Sequence, residues 1–162
     1  MTTFQAGQRL TAATLNAAIG LRAAKAADLP RATNTTLTAD TDLAVAVAAN
    51  SRYLVTISLL YKGAATNTGD LKIGFSVPSG ATLPGQFLGI GNPLGVGIGP
   101  VTAASVLVSY GNGTSNPLAC QVTATLVTST TAGSLILTWA QNTSNATATT
   151  LMAGSSLQAV QV

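Results

Sequence analysis

The sequence predicts a mainly β protein, a β-sandwich or jelly roll of about eight to ten strands preceded by one N-terminal helix. Three observations lead there. From Leu37 onward, large apolar residues alternate with Thr, Ser, Ala and Gln in short runs. Such alternation, rich in β-branched residues, fits a pleated surface buried on one face. Turn signals such as Asn50-Ser51 and Gly111-Asn112-Gly113 break the runs at strand-like spacing. A helical composition occurs in one place, from Leu10 to Ala27, ahead of the first alternating run.

Charge is the chain's chief compositional anomaly. Charged residues make up 7% of 162 residues, with no His, against roughly a quarter in average domains. They are Arg9, Arg22, Lys25, Asp28, Arg31, Asp40, Asp42, Arg52, Lys62, Asp70 and Lys72, and from Ile73 to Val162 there is none. A run of about 20 apolar residues, as a membrane helix needs, is absent. The Gly/Pro interruptions argue against the regular strands of a transmembrane barrel. Recurrent Leu, Val and Ile argue against disorder. What fits is an uncharged β-domain with a hydroxyl- and amide-covered outer face, suited to subunit packing because interface cores are depleted in charge. The net charge of +3 reflects scarce acids rather than a basic stripe, so nucleic acid is not an expected partner. Nor is a membrane.

Residues 1–28 form the expected N-terminal segment. Ala, Leu, Arg and Lys favour a helix over Leu10–Ala27, with Thr11 or Thr14 as cap and Leu15, Ala18, Ile19, Arg22 and Ala26 on one face. Gly20 weakens its middle by about 1 kcal/mol relative to Ala, and Pro30 stops it. Residues 29–36 read as a linker and 37–162 as the β-domain. Leu37–Ala39 is a short strand, Asp40-Thr41-Asp42 a turn, and Leu43–Val47 a strand. In Arg52–Lys62 one face carries Tyr53, Val55, Ile57, Leu59 and Tyr61; in Leu71–Val77 one carries Leu71, Ile73, Phe75 and Val77. Pro78–Pro100 reads as a long connection between sheets, its glycines permissive rather than phosphate-cradling, since no strand–Gly–helix context surrounds them. Val101–Tyr110 and Leu118–Val127 are strands, and a closing hairpin runs from Leu135–Ala140 to Leu157–Val162.

Two stretches carry a resemblance. Leu137-Thr-Trp-Ala-Gln-Asn142, the Thr/Ala repeats after it, and Leu151-Met-Ala-Gly-Ser-Ser-Leu157 resemble the end of small tail and fibre proteins of phages that infect actinobacteria. Phe4-Gln-Ala-Gly-Gln-Arg-Leu-Thr-Ala-Ala-Thr-Leu-Asn16 is similar to the opening of many phage minor tail and fibre proteins. The resemblance implies a trimeric jelly roll of the tumour-necrosis-factor-like type, located in the virion and made in the host cytoplasm. It implies virion attachment through Phe4, Gly7, Leu10, Leu15, Asn16 and Ile19. Its partners would be itself, as a homotrimer, and other virion proteins of the tail or capsid. A trimeric capsid decoration protein of the same shape is the alternative.

Chemistry is sparse. Without His or Glu, the usual general acids and bases are missing, and His/Cys metal clusters are excluded by count. No enzyme, cofactor or metal is expected. Asp40 and Asp42 make a poor Ca²⁺ loop and fit turn chemistry better. Cys120 lies in an alternating run and suits a buried apolar role. Trp139, the one tryptophan, reads as a core or interface anchor before a sugar-stacking surface. Tyr53, Phe75, Trp139 and Leu157 are the expected oligomer-interface or anchor residues. The Thr/Asn/Gln-rich tips at Tyr110–Asn116 and Gln141–Asn145 could contact host cell-wall glycan by hydrogen bonding.

Overall fold

A computed structural model describes residues 6–7, 9, 11, 19–64, 70–91 and 95–162. Among the described residues there are twelve strands: β1 (Leu21–Ala24), β2 (Leu29–Arg31), β3 (Thr38–Val47), β4 (Arg52–Lys62), β5 (Leu71–Ser76), β6 (Gly85–Ile90), β7 (Val96–Val101), β8 (Leu107–Ser109), β9 (Leu118–Val127), β10 (Gly133–Gln141), β11 (Thr149–Leu151) and β12 (Ser156–Gln161). The larger sheet has eight strands, ordered β1-β12-β4-β9-β6-β7, with β11 also on β4 and β2 on β11; the smaller is β3-β10-β5-β8. All pairings are antiparallel. Antiparallel sheets bury one face and leave the other wet, which is the alternation seen in the sequence.

The core lies between the sheets. The larger contributes Tyr53, Val55, Ile57, Leu59 and Tyr61 of β4, with Val122, Leu126, Leu151 and Leu157; the smaller contributes Leu43, Leu71, Ile73, Leu135, Leu137 and Trp139. β4 is the central strand. Its ten-residue register with β9, Arg52↔Val127 to Tyr61↔Leu118, fixes which side chains face inward. Cys120 is buried on β9.

The N-terminal expectation is corrected. Among the described residues no helical element stands, and Leu21–Ala24, expected as the end of the helix, is strand β1 on the edge of β12. Residues 12–18 of the expected helix lie outside the described residues. Gly20 explains the break. Its φ is +82°, and a Cβ there would meet Val160 Cγ2 at 2.9 Å, so it separates β1 from what precedes it. The helix propensity of an Ala-rich run is a weak prior that tertiary pairing overrides. Leu29–Arg31, expected in the linker, is β2.

Three further expectations change. Pro78–Pro100 is not a bare connection: it holds β6 and most of β7, a hairpin on the larger sheet. Leu135–Ala140 and Leu157–Val162 do not pair as a hairpin, because β10 and β12 belong to different sheets. The Asp40–Asp42 turn is a bulge inside one long strand. On β10, Ile136 faces Ala44 and Thr138 faces Ala39, so β3 accommodates extra residues there.

Candidate functional site

Two features stand out, one outside the sandwich and one inside. The outer face of the larger sheet follows from the β4 register. Leu54, Thr56, Ser58 and Leu60 point away from the core, as do Gln86, Leu88 and Ile90 of β6 and Ala119, Gln121 and Thr123 of β9. Cross-strand pairs Leu88↔Ile98 and Ile90↔Val96 put β7's side chains on the same side. Val96 is 74% and Ile98 66% exposed; Leu54, Leu60 and Leu88 are exposed too. A shallow groove lined by Ser58, Leu60, Leu88, Ile90, Val96 and Gln121 crosses the face. Its middle carries no charged side chain: from β12 to β7 the outward-facing charges are Arg52 and Lys62, at the two ends of β4, and Arg22 sits on β1 at the rim. β7 is an edge strand with little to guard it beyond Pro100, whereas exposed edges are normally blunted by charge.

Inside, the few charges converge. Between β11 and β12 the chain bulges at Ala153-Gly154, with Gly154 at φ +86°. Ser155 Oγ fills the gap in the ladder, accepting from Leu60 N at 3.0 Å and donating to Leu60 O at 3.2 Å. The bulge also clamps Lys25: Lys25 N donates to Ser155 O (2.8 Å) and Gly154 N to Lys25 O (2.9 Å). The Lys25 side chain is thereby buried, 2.9 Å from Asp40 Oδ2 and 3.1 Å from Asp42 Oδ2. Asp40 is wholly buried. Its Oδ1 accepts from Asp42 N (3.0 Å) and Leu43 N (3.2 Å), and its Oδ2 from Trp139 Nε1 (3.0 Å). Burial pushes the Asp40 carboxyl up, but hydrogen bonds from Lys25 and Trp139 and the Lys25 charge outweigh it and bring it below its ordinary value. Arg31 stacks over the Trp139 ring at 4.0 Å and donates to the Trp139, Thr38 and Ala39 carbonyls. Lys25 and Arg31 thus bind both N-terminal strands to the smaller sheet.

The anticipated site residues separate. Trp139, Tyr53 and Leu157 are buried in the chain's own core, and Phe75 packs partly buried against it. Ile19 is exposed, and Gly7 is exposed at φ +81°. Phe4, Leu10, Leu15 and Asn16 lie outside the described residues. Of the glycan-contact loops, Gln141 is buried and holds its loop by bonds to Thr147 O and Asn145 N, while Thr143 and Ser144 are exposed. Asn112 and Thr114 are exposed as well. Sequence reasoning missed Lys25, Arg31 and Asp40. Their signal was present: in so charge-poor a chain, each charge is conspicuous.

Among the described residues no group of three His, Cys, Asp or Glu could hold a metal ion, and no helix is long and apolar enough to cross a membrane. No family model matches the chain, and no curated protein does. Among solved structures, "Structure of infectious bursal disease virus Gx strain" is similar at 12% identity and a TM-score of 0.21, over 87% of this chain and 40% of that one. This chain thus spans less than half the length of the chain it is compared with.

Proposed function

We propose that the chain is a phage virion structural protein of the minor-tail or tail-fibre kind, non-enzymatic, assembled as a homotrimer through the outer face of its larger sheet. The observation that carries the reading is that face: exposed Leu54, Leu60, Leu88, Val96 and Ile98 on a surface whose charges between β12 and β7, Arg52 and Lys62, stand at the two ends of β4. Solitary exposed apolar residues are normal, but a contiguous apolar patch marks an interface. Five strands, β12 to β7, at about 4.8 Å and about 20 Å of strand length give roughly 500 Å² of flat area. That is somewhat over half of the roughly 800 Å² which one partner of a standard interface buries, before side-chain relief is counted. A second copy suits it because the middle of neither surface presents a charge to be left unpaired, Arg52 and Lys62 standing at the ends of β4. Three copies rather than two, and attachment through the residues ahead of β1, rest on the resemblance of the two terminal stretches to phage proteins. Contact with host glycan through Asn112, Thr114, Thr143 and Ser144 is compatible with this role.

Light scattering on the purified chain at low and high salt tests the assembly. A stable trimer at both supports it, since an uncharged interface is not screened; a well-folded monomer overturns it. Antibody labelling of virions then distinguishes label on the tail from label on the head, which would favour capsid decoration instead.

A further inference from the structure

We propose that Lys25 and Asp40 condense into an intramolecular amide bond, covalently tying the N-terminal strands to β3. The reactants are in place. Lys25 Nζ lies 3.1 Å from Asp40 Oδ1 and 2.9 Å from Oδ2. The carboxyl carbon between those oxygens therefore falls within the roughly 3–3.5 Å of a near-attack pair. Both side chains are sealed from solvent, at 2% and 0% exposure.

The surroundings divide the two oxygens by role. Oδ1 accepts two backbone N–H groups, from Asp42 and Leu43. Paired backbone donors aimed at one oxygen are what a tetrahedral intermediate needs where its negative charge develops. Oδ2 faces Trp139 Nε1–H and is the leaving oxygen. Asp42 Oδ2, 3.1 Å from Nζ, accepts the proton that the amine must lose. Asp42 is 41% exposed while Asp40 is fully buried, so it also marks the way out for the released water.

The step balances. Proton transfer inside the ion pair gives a neutral amine and a neutral acid. The Nζ lone pair forms the N–C bond at Cγ. The second Nζ proton passes through Asp42 to Oδ2, the C–Oδ2 bond breaks, and water leaves. No oxidant or other co-reactant is required. Two buried charges become one neutral amide, which removes the desolvation penalty that a buried pair carries. Because the same donors favour the Asp40 anion, the first proton transfer is uphill and the bond forms slowly after folding.

The test is the intact mass of the purified, folded chain, fresh and after days at physiological temperature, followed by tryptic digestion. The expected result is loss of one water, with Ala23–Arg31 recovered joined to Ala32–Arg52 and no cleavage after Lys25. Asp42→Asn, with folding checked by circular dichroism, is expected to slow the loss by about 100-fold, the size of one general-base contribution. Lys25→Arg abolishes it. Full mass in aged, folded wild-type protein overturns the proposal, as does a water loss mapped to any other pair. Bond formation at an unchanged rate in Asp42→Asn overturns the role of Asp42.

Discussion

Ile98→Lys puts an ammonium at the most apolar part of the outer face without touching the core. Ile98 is on edge strand β7 and 66% exposed, so the monomer's stability should change by no more than about 0.5 kcal/mol. Association should respond strongly. Fully burying an aliphatic side chain contributes about 1.5–3 kcal/mol. Leu54, Leu60, Leu88, Val96 and Ile98 are each 40–74% exposed, so covering them contributes roughly 4–8 kcal/mol per face. That range overlaps the estimated 4–15 kcal/mol cost of association, and one lost anchor matters. The substitution forfeits about 1–2 kcal/mol of burial. It also leaves a cation facing a surface with no acid, partly relieved as the long side chain bends toward the rim. A net loss of about 3 kcal/mol raises the dissociation constant about 100-fold. Sedimentation across a concentration series reads this, with Ser134→Lys, exposed on the smaller sheet, as control. If Ile98→Lys and Ser134→Lys assemble alike, the larger sheet's face is not the interface and the reasoning fails.

Ser155→Ala removes the hydroxyl that bridges Leu60 N and Leu60 O at the bulge. A loss of about 1–3 kcal/mol in chemical denaturation is expected, the cost of an unmet buried donor. At Gly85 a Cβ would meet Thr123 O at 2.4 Å and Ala124 Cβ at 2.5 Å. Gly85→Ala should therefore push β6 from β9, costing about 1–3 kcal/mol and faster hydrogen exchange in both strands. Burial pushes the Cys120 thiol up to about 12, so a native chain at pH 8 should resist thiol reagents that label it promptly in urea. Prompt native labelling would show that β9 opens.

Period-two alternation located β4, β9 and β12 because both faces of those strands are simple, one buried and one wet, and it located β5 through Leu71 and Ile73 although Gly74 is buried and Phe75 only half-buried. The inward set Tyr53, Val55, Ile57, Leu59 and Tyr61 could be read directly, since burial selects apolar residues at every second position. β6 and β7 escaped because their glycines and Pro100 resemble a loop. Only the pairing with β9 makes the segment a strand, and pairing partners are not local information. β1 escaped for the opposite reason. Its four residues, Leu-Arg-Ala-Ala, favour a helix in isolation, and what holds them extended is an edge on β12 from the far end of the chain. The polar cluster was hidden by the same distance. Lys25 stands 15 residues from Asp40, and Trp139 stands 99 from it. Each looked like surface, turn or core when taken alone.

Composition nonetheless constrains what such a cluster can be. A chain with so few charges has little surface need for Lys25 or Arg31, yet both reach into the seam between β1, β2 and the smaller sheet. A buried ion pair is a poor source of net stability compared with apolar packing. It is a good source of specificity, because a slip of β1 by one residue would strand Lys25 away from Asp40 at high cost. The apolar outer face has no such selectivity, as its contacts are non-directional. The charges therefore fix how the N-terminal strands join the sandwich, and the uncharged face is left to decide what the sandwich joins. Closing the Lys25–Asp40 pair into an amide would make the first of these permanent before the second takes place.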